Sequence, residues 1–359
     1  MPGLTVLYTK GCIVFAGEAW QGGGFYGIVG SPVSGQERVV VTKNSALDVA
    51  HRIAGLRNGL MAGLIGHEIL VERLLIGILA GGHILIEGAP GLAKTRAVKL
   101  LANALCGDFA RIQCTPDLLP SDLTGTDVFN PDTGKFSFSN GPVFHNLVLV
   151  DEINRAPPKV QSALLEAMAE QQVTSGGKTH RLPDPFAVVA TQNSIEHEGT
   201  FPLPEAQLDR FLLHVVLELP GAEAERRILD LVEEEQQGHI LASEKIDLKV
   251  IREAKVQAMG IYLSAALRDY IVKLVLATRE APFADEIEHA VSPRGSIALA
   301  AAAKARAYLN GRDHALPGDV AAVAEDALAH RMVVSWRSTS EGRTARAIIA
   351  DIVKAIEPL

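Results

Sequence analysis

One run of residues limits what this chain can fold into more than any other. Gly88-Ala89-Pro90-Gly91-Leu92-Ala93-Lys94-Thr95 follows the apolar stretch His83-Ile84-Leu85-Ile86-Glu87 and precedes a helical pattern over 96–105. Strand, glycine-rich turn and helix in that order is the setting in which a backbone cradles phosphate. Glycines let the main chain wrap an anion with successive N–H groups pointing inward, and the helix start adds the positive end of its dipole. Lys94 offers a mobile cation to the β- and γ-phosphates, and Thr95 offers a hydroxyl oxygen to Mg²⁺. The position before the lysine is usually glycine in such loops, and here it is Ala93. A methyl group there costs little in right-handed helical backbone and is penalised only if the turn requires left-handed dihedrals.

A second motif fits the first. Leu147-Val148-Leu149-Val150-Asp151-Glu152 is an apolar strand that delivers two adjacent carboxylates at its C-terminal end. Asp151 suits a Mg²⁺ ligand, direct or through water, and Glu152 suits a general base that polarises an attacking water. ATP is favoured over GTP, because no [NT]-K-x-D guanine-reading motif is present. Ser243-Glu244-Lys245-Ile246-Asp247 comes nearest and has the wrong first residue.

With 359 residues the chain is about twice a common domain size, so two packed units are expected. Hydrophobic residues make up 48%, enough for a full core. Aromatics at 5% argue against a stacking surface for single-stranded nucleic acid, and the formal charge of −8 argues against an overall basic footprint. Cys12, Cys106 and Cys114 show no C-x-x-C spacing, so neither a zinc ribbon nor a redox dithiol is expected, and a reducing cytoplasm fits. The apolar run 74–80 is flanked by charge and too short to span a bilayer. No secretory signal pattern opens the chain.

Residues 1–45 are rich in glycine and other breakers, and read as a small β appendage or a poorly ordered extension, with strand candidates at 4–8, 12–16 and 38–42. From 45 to 80 the pattern turns helical, with Ile65, Ile69 and Ile76 near helical spacing. Short apolar strands then recur at 84–87, 110–113, 147–150, 187–191 and 212–219, with helices between most of them, which argues a parallel sheet covered on both faces. After Pro220-Gly221 the strand signal disappears, and helices are expected over 223–236, 248–259, 264–279, 292–309 and 318–330. The expected division is therefore 1–45, 46–220 and 221–359.

Ala187-Val188-Val189-Ala190-Thr191-Gln192-Asn193 is a further buried strand with a polar end. A parallel sheet places such ends on one edge, where Asn193 could reach between the γ-phosphate and water. At these residues the chain resembles a known family. Asp151-Glu152-Ile153-Asn154-Arg155-Ala156-Pro157-Pro158, Thr191-Gln192-Asn193 and Glu205-Ala206-Gln207-Leu208-Asp209-Arg210-Phe211 resemble the MoxR family of AAA+ ATPases, as does the phosphate loop with alanine before Lys-Thr. The resemblance runs from about residue 64 to the C-terminus.

That resemblance implies an α/β P-loop NTPase fold with a parallel sheet core and a C-terminal all-helical lid. It implies a chaperone-like, ring-forming homo-oligomer, usually a hexamer, that binds ATP between neighbouring subunits and hydrolyses it to ADP and phosphate with Mg²⁺. Asn193 would be the sensor-1 residue, Arg210 the arginine finger reaching the neighbour's ATP, and Arg294, at the helix start Ser292-Pro293-Arg294-Gly295, the sensor-2 arginine of the lid. The family also implies a protein client and a partner carrying a von Willebrand factor A domain. Two hairpins are read at 125–138, with Asn130-Pro131-Asp132-Thr133-Gly134 as the turn, and at 173–182, with Gly176-Gly177 at the tip. They resemble the family's helix-2 and pre-sensor-1 insertions, with Lys135, Lys178 and Arg181 as candidate contacts. Two other classes compete: a nucleic-acid-stimulated motor, against which the acidic balance weighs, and a nucleotide switch or scaffold, against which Glu152 weighs. His289, His314 and His330 lack metal-ligand pairing and read as structural or solvated.

Overall fold

The computed structural model describes residues 5–9, 12–16, 43–132, 134–194, 199–237 and 245–358. The strand expected at 38–42 and the glycine-rich tract before it lie outside them. Thr5–Thr9 and Cys12–Ala16 pair antiparallel, as two of the early strand candidates suggested.

Five parallel strands form the central sheet: β1 (Ile84–Gly88), β2 (Phe109–Gln113), β3 (Leu147–Asp151), β4 (Ala187–Asn193) and β5 (Leu213–Leu217). Their spatial order is β5-β1-β4-β3-β2. β4 is inserted between β1 and β3, so the two strands that carry the phosphate loop and the acidic pair flank the one that ends in Asn193. The register is in step, with Asn193 and Leu217 both opposite Gly88, and Gln113 opposite Asp151. The C-terminal ends of all five strands therefore share one edge.

Alternation along the strands splits the core into two clusters. Ile84, Ile86, Leu149 and Val189 face one side, and Leu85, Val148, Val150 and Val188 face the other. The first side is covered by α1 (Lys43–Gly63), α2 (Glu68–Ala80) and α3 (Lys94–Ala104). The second is covered by α4 (Pro158–Glu170). Within the helical stretch, Ile76 is buried, Ile65 falls in the turn between α1 and α2, and Ile69 is exposed, so α2 buries a different stripe from the isoleucine spacing.

Helices α5 (Ala222–Gln236), α6 (Leu248–Met259), α7 (Ala265–Ala277), α8 (Pro293–Leu309), α9 (Pro317–Leu328) and α10 (Ala345–Ala355) make up most of the C-terminal part. Three short strands interrupt them, at Ile246–Asp247, Ile287–His289 and Val333–Val334. The first pairs with Leu105–Cys106, next to α3, and α6 packs on α1 and α2. One hydrophobic cluster thus runs from the sheet into the C-terminal helices, with members from Val49 to Ile352. Two ion pairs reinforce the junction: Arg73 with Asp326 at 2.7 Å, both buried, and Arg306 with Glu72 at 3.2 Å. Among the described residues no helix is long and apolar enough to cross a membrane.

Both expected hairpins form, from Gly125–Asn130 with Lys135–Asn140 and from Gln172–Ser175 with Lys178–Arg181. They lean on each other. The Phe138 ring stacks on His180 at 4.0 Å between centroids, and Ser175 Oγ donates to Asp127 at 3.2 Å.

A buried histidine ties the sheet to α4. His83 Nε2–H donates to the Met168 carbonyl at 3.2 Å, and Nδ1 accepts from Val188 N–H at 3.0 Å. That arrangement needs the neutral ring, and burial pushes its pKa down to about 4 from an ordinary 6.5. His330 is depressed in the same direction, chiefly by burial. The unfolded chain therefore binds protons that the native fold refuses, and stability present above pH 6.5 drains as pH falls toward 4. The thermal midpoint should fall across that window, and less steeply in His83→Gln. Equal slopes by calorimetry would refute this role for His83.

Candidate functional site: the phosphate edge of the sheet

The turn after β1 wraps back on itself and leads into α3. Lys94, in the first turn of α3, is buried, and its ammonium lies beneath the loop. It donates to Gly88 O at 2.5 Å, Asn193 Oδ1 at 2.8 Å, and Ala89 O and Gln192 O at 3.3 Å. The end of β1 and the end of β4 are thereby bridged by one cation. Glu87, just before the loop, accepts from His214 on β5 at 2.9 Å, and this hydrogen bond holds its carboxyl below the usual glutamate range.

Asp151 ends β3, almost fully buried. Thr95 Oγ1 lies 3.2 Å from its Oδ1, Thr191 Oγ1 donates to the same oxygen at 3.1 Å, and Arg111 Nε lies 2.7 Å from Oδ2. Glu152 follows in left-handed backbone, at φ 57 and ψ 52. A non-glycine residue in that region carries strain of about 1–3 kcal/mol. Its N–H donates to Thr191 Oγ1 at 3.0 Å, which helps to hold the turn. The carboxylate receives Gln113 Nε2 at 2.9 Å and Asn193 Nδ2 at 3.4 Å, with Arg155 at 3.5 Å. Asn193 thus touches both Lys94 and Glu152. Cys114 lies beside this pair of acids, and burial together with Asp151 and Glu152 pushes its thiol up to about 12, so it stays protonated.

The Thr95 hydroxyl and Asp151 carboxylate are oxygen donors of the kind Mg²⁺ takes, and they are close enough to share one ion. Among the described residues no group of three or more His, Cys, Asp or Glu could hold a metal. Mg²⁺ keeps waters and phosphate oxygens and needs few protein ligands. Beside the loop, Thr95, Arg96, Lys99, Leu100, Asn103 and Glu235 line an open cleft. Arg96 and Glu235 close one side of it as a two-point pair, at 2.5 and 3.1 Å.

Arg210 and Arg294 lie elsewhere. Arg210 precedes β5, whose first residue, Leu213, sits opposite Ile84 at the start of β1. The Leu212 N–H donates to His83 O, just before β1. Arg210 therefore stands at the sheet edge opposite Gly88 and Asn193. Its side chain is exposed and donates to Leu165 O at 3.2 Å. Arg294, at the start of α8 behind the Ser292 cap, lies 3.2 Å from Asp209 Oδ2. Lys94, Thr95, Asp151, Glu152 and Asn193 are brought together, and the two arginines form a separate group with Asp209.

Comparisons with known proteins agree with this architecture. Residues 83–213 match the ATPase family associated with various cellular activities (AAA), and residues 279–352 match the AAA lid domain. The chain is 42% identical over 301 residues to Chaperone MoxR1 of Mycobacterium tuberculosis, covering 82% of this chain and 78% of that one. It is 43% identical over 298 residues to the protein YeaC of Bacillus subtilis, covering 82% and 91%. A crystal structure from Cytophaga hutchinsonii superposes with a TM-score of 0.81 at 41% identity, covering 88% of this chain and 98% of that one. The chain belongs to the MoxR family of AAA+ ATPases.

In this MoxR-family chain, two site residues, Arg111 and Gln113, carry no motif of their own. Arg111 and Gln113 on β2 reach the Asp151 and Glu152 carboxylates, and the motif residue Thr191 links the Asp151 carboxylate to the Glu152 N–H. The period-2 spacing of Arg111 and Gln113, which puts both on one face of β2, was the available signal. Ala93 departs from the easier of the two alternatives, since it adopts left-handed backbone at φ 52 and ψ 16. The methyl group is therefore strained there, by roughly 1–2 kcal/mol. Ala93→Gly should relieve that strain by more than glycine's cost of about 0.4–1 kcal/mol in unfolded-chain entropy. The expected result is a small rise in thermal midpoint with nucleotide binding retained. A lower midpoint would contradict the strain assignment.

Proposed function

We propose that this chain hydrolyses ATP to ADP and phosphate with Mg²⁺, as a ring-forming, chaperone-like remodelling factor. The observation that carries the reading is the joining of Lys94, Asn193 and Glu152 through direct contacts at the strand-end edge. The loop Gly88-Ala89-Pro90-Gly91-Leu92-Ala93 presents backbone N–H groups to the phosphates, and Lys94 exchanges its carbonyl partners for β- and γ-phosphate oxygens. Thr95 and Asp151 hold Mg²⁺, which neutralises charge on those oxygens when bound. Glu152 takes a proton from the attacking water, while Asn193 orients that water against the γ-phosphate.

Arg210 and Arg294 then complete the site of a neighbouring subunit. Their position across the sheet from their own phosphate loop supports this, because β5 alone spans about 13–17 Å between the two edges. Arg210 neutralises charge on the transferring phosphoryl group, and Arg294 senses the γ-phosphate from the lid. A closed ring, a hexamer in this reading, supplies every subunit with such a neighbour. The working division is an extension over 1–45, an ATPase core over 46–220 and a lid over 221–359. The client is a protein, assisted in assembly or cofactor insertion, and the partner carries a von Willebrand factor A domain. The site of action is the cytoplasm.

Two substitutions test the assignment. Lys94→Ala should abolish nucleotide binding in a fluorescent-nucleotide titration. Glu152→Gln should keep binding but lower phosphate release by about 10²–10⁴-fold. Normal turnover in Glu152→Gln would remove the general base from the mechanism.

A further inference from the structure

The lid grips the segment that bears Arg210, and it does so on both sides. Arg331, in the turn after α9, has a side chain only 4% exposed. Its Nη1 donates to the Asp209 carbonyl at 2.8 Å and pairs with the Asp209 carboxylate. Its Nη2 donates to the Phe211 carbonyl at 2.6 Å, and its Nε to Ala327 O at 2.8 Å. His330 adds a second donor to Phe211 O, from Nε2 at 3.1 Å. A carbonyl can only accept, so the neutral ring carries its proton on Nε2. Phe211 itself is fully buried. The carbonyls of the two residues that flank Arg210, Asp209 and Phe211, are therefore held by lid side chains, while the Arg210 side chain is left exposed.

We infer that Arg331 is a positioning residue for Arg210, setting from the lid of one subunit the placement of the arginine that serves the next. The inference rests on the reading of Arg210 as a finger given above. A planar fork suits the task, since its two ends meet two carbonyls at once, which a lysine's single nitrogen does not reproduce. Burying a guanidinium is expensive, and its cost is offset only where geometry and hydrogen bonding are this complete. The same lid carries Arg294 to Asp209 at 3.2 Å. Movement of the lid therefore shifts Asp209, Arg210 and Phe211 together, and the state of one subunit's lid is written into the finger it offers.

The test uses the full chain and separates a positioning role from a structural one. Arg331→Met should lower kcat by about 10–100-fold, the scale of a small misplacement of a catalytic group, with KM for ATP nearly unchanged. Its defect should lie in the neighbour's site. Mixing it with Glu152→Gln subunits, which keep an intact finger but do not turn over, should raise phosphate release several-fold above the sum of the two variants alone. Arg210→Ala mixed with Glu152→Gln is the control. Recovery with Arg210→Ala but none with Arg331→Met overturns the inference and makes Arg331 a residue of its own subunit's stability. No recovery with Arg210→Ala overturns the shared-site reading and the inference with it. Should Arg331→Met fail to fold by circular dichroism, Arg331→Lys keeps the charge, loses the two-carbonyl grip and answers through the same mixing.

Discussion

Everything at the phosphate edge depends on the register of three parallel strands. Gly88 and Asn193 sit opposite each other because β4 pairs with β1 in step, and Asp151 stands next to them because β3 pairs with β4 on its other side. A slip of one residue would turn Asn193 to the opposite face and break its contacts with Lys94 and Glu152. The register is itself set by burial, since both faces of these strands are packed and neither tolerates a polar side chain in place of Val188 or Val189.

On that frame the polar groups are arranged at some cost. Lys94 is buried, yet its ammonium is met by carbonyl oxygens and an amide oxygen. Glu152 is held in left-handed backbone, as is Ala93. Strain of this kind persists where surrounding structure over-determines it, and here Thr191 supplies part of that determination by bonding both Asp151 and Glu152 N–H. The acids are arranged by a strand they do not belong to.

The sequence made the sheet, the phosphate loop, the acidic pair, both hairpins and most C-terminal helices legible, because each rests on local pattern: apolar runs, turn residues or a motif of fixed spacing. What stayed hidden is tertiary. Arg111 and Gln113 look like ordinary charged and polar strand residues until β2 is laid beside β3. Arg331 follows a helix without any motif, and its meaning comes from Asp209 and Phe211, more than a hundred residues earlier. The strand at Ile246–Asp247 is two residues long, too short for a periodicity, and exists because Leu105–Cys106 lies next to it. Ala93 shows the same limit in the backbone. The motif named its position, and only the turn's geometry fixed its dihedrals.

The stacking of Phe138 on His180 has a consequence for how the insertions are connected to the site. Two insertions that arise from separate parts of the chain are joined side by side, and the second leads through residues 182–186 into β4. The exposed rings of Phe129 and Phe136 lie near the far end of the first hairpin. The same stretch of chain that makes the second hairpin goes on to end in Asn193, so the second insertion and the phosphate edge lie along one short run of sequence.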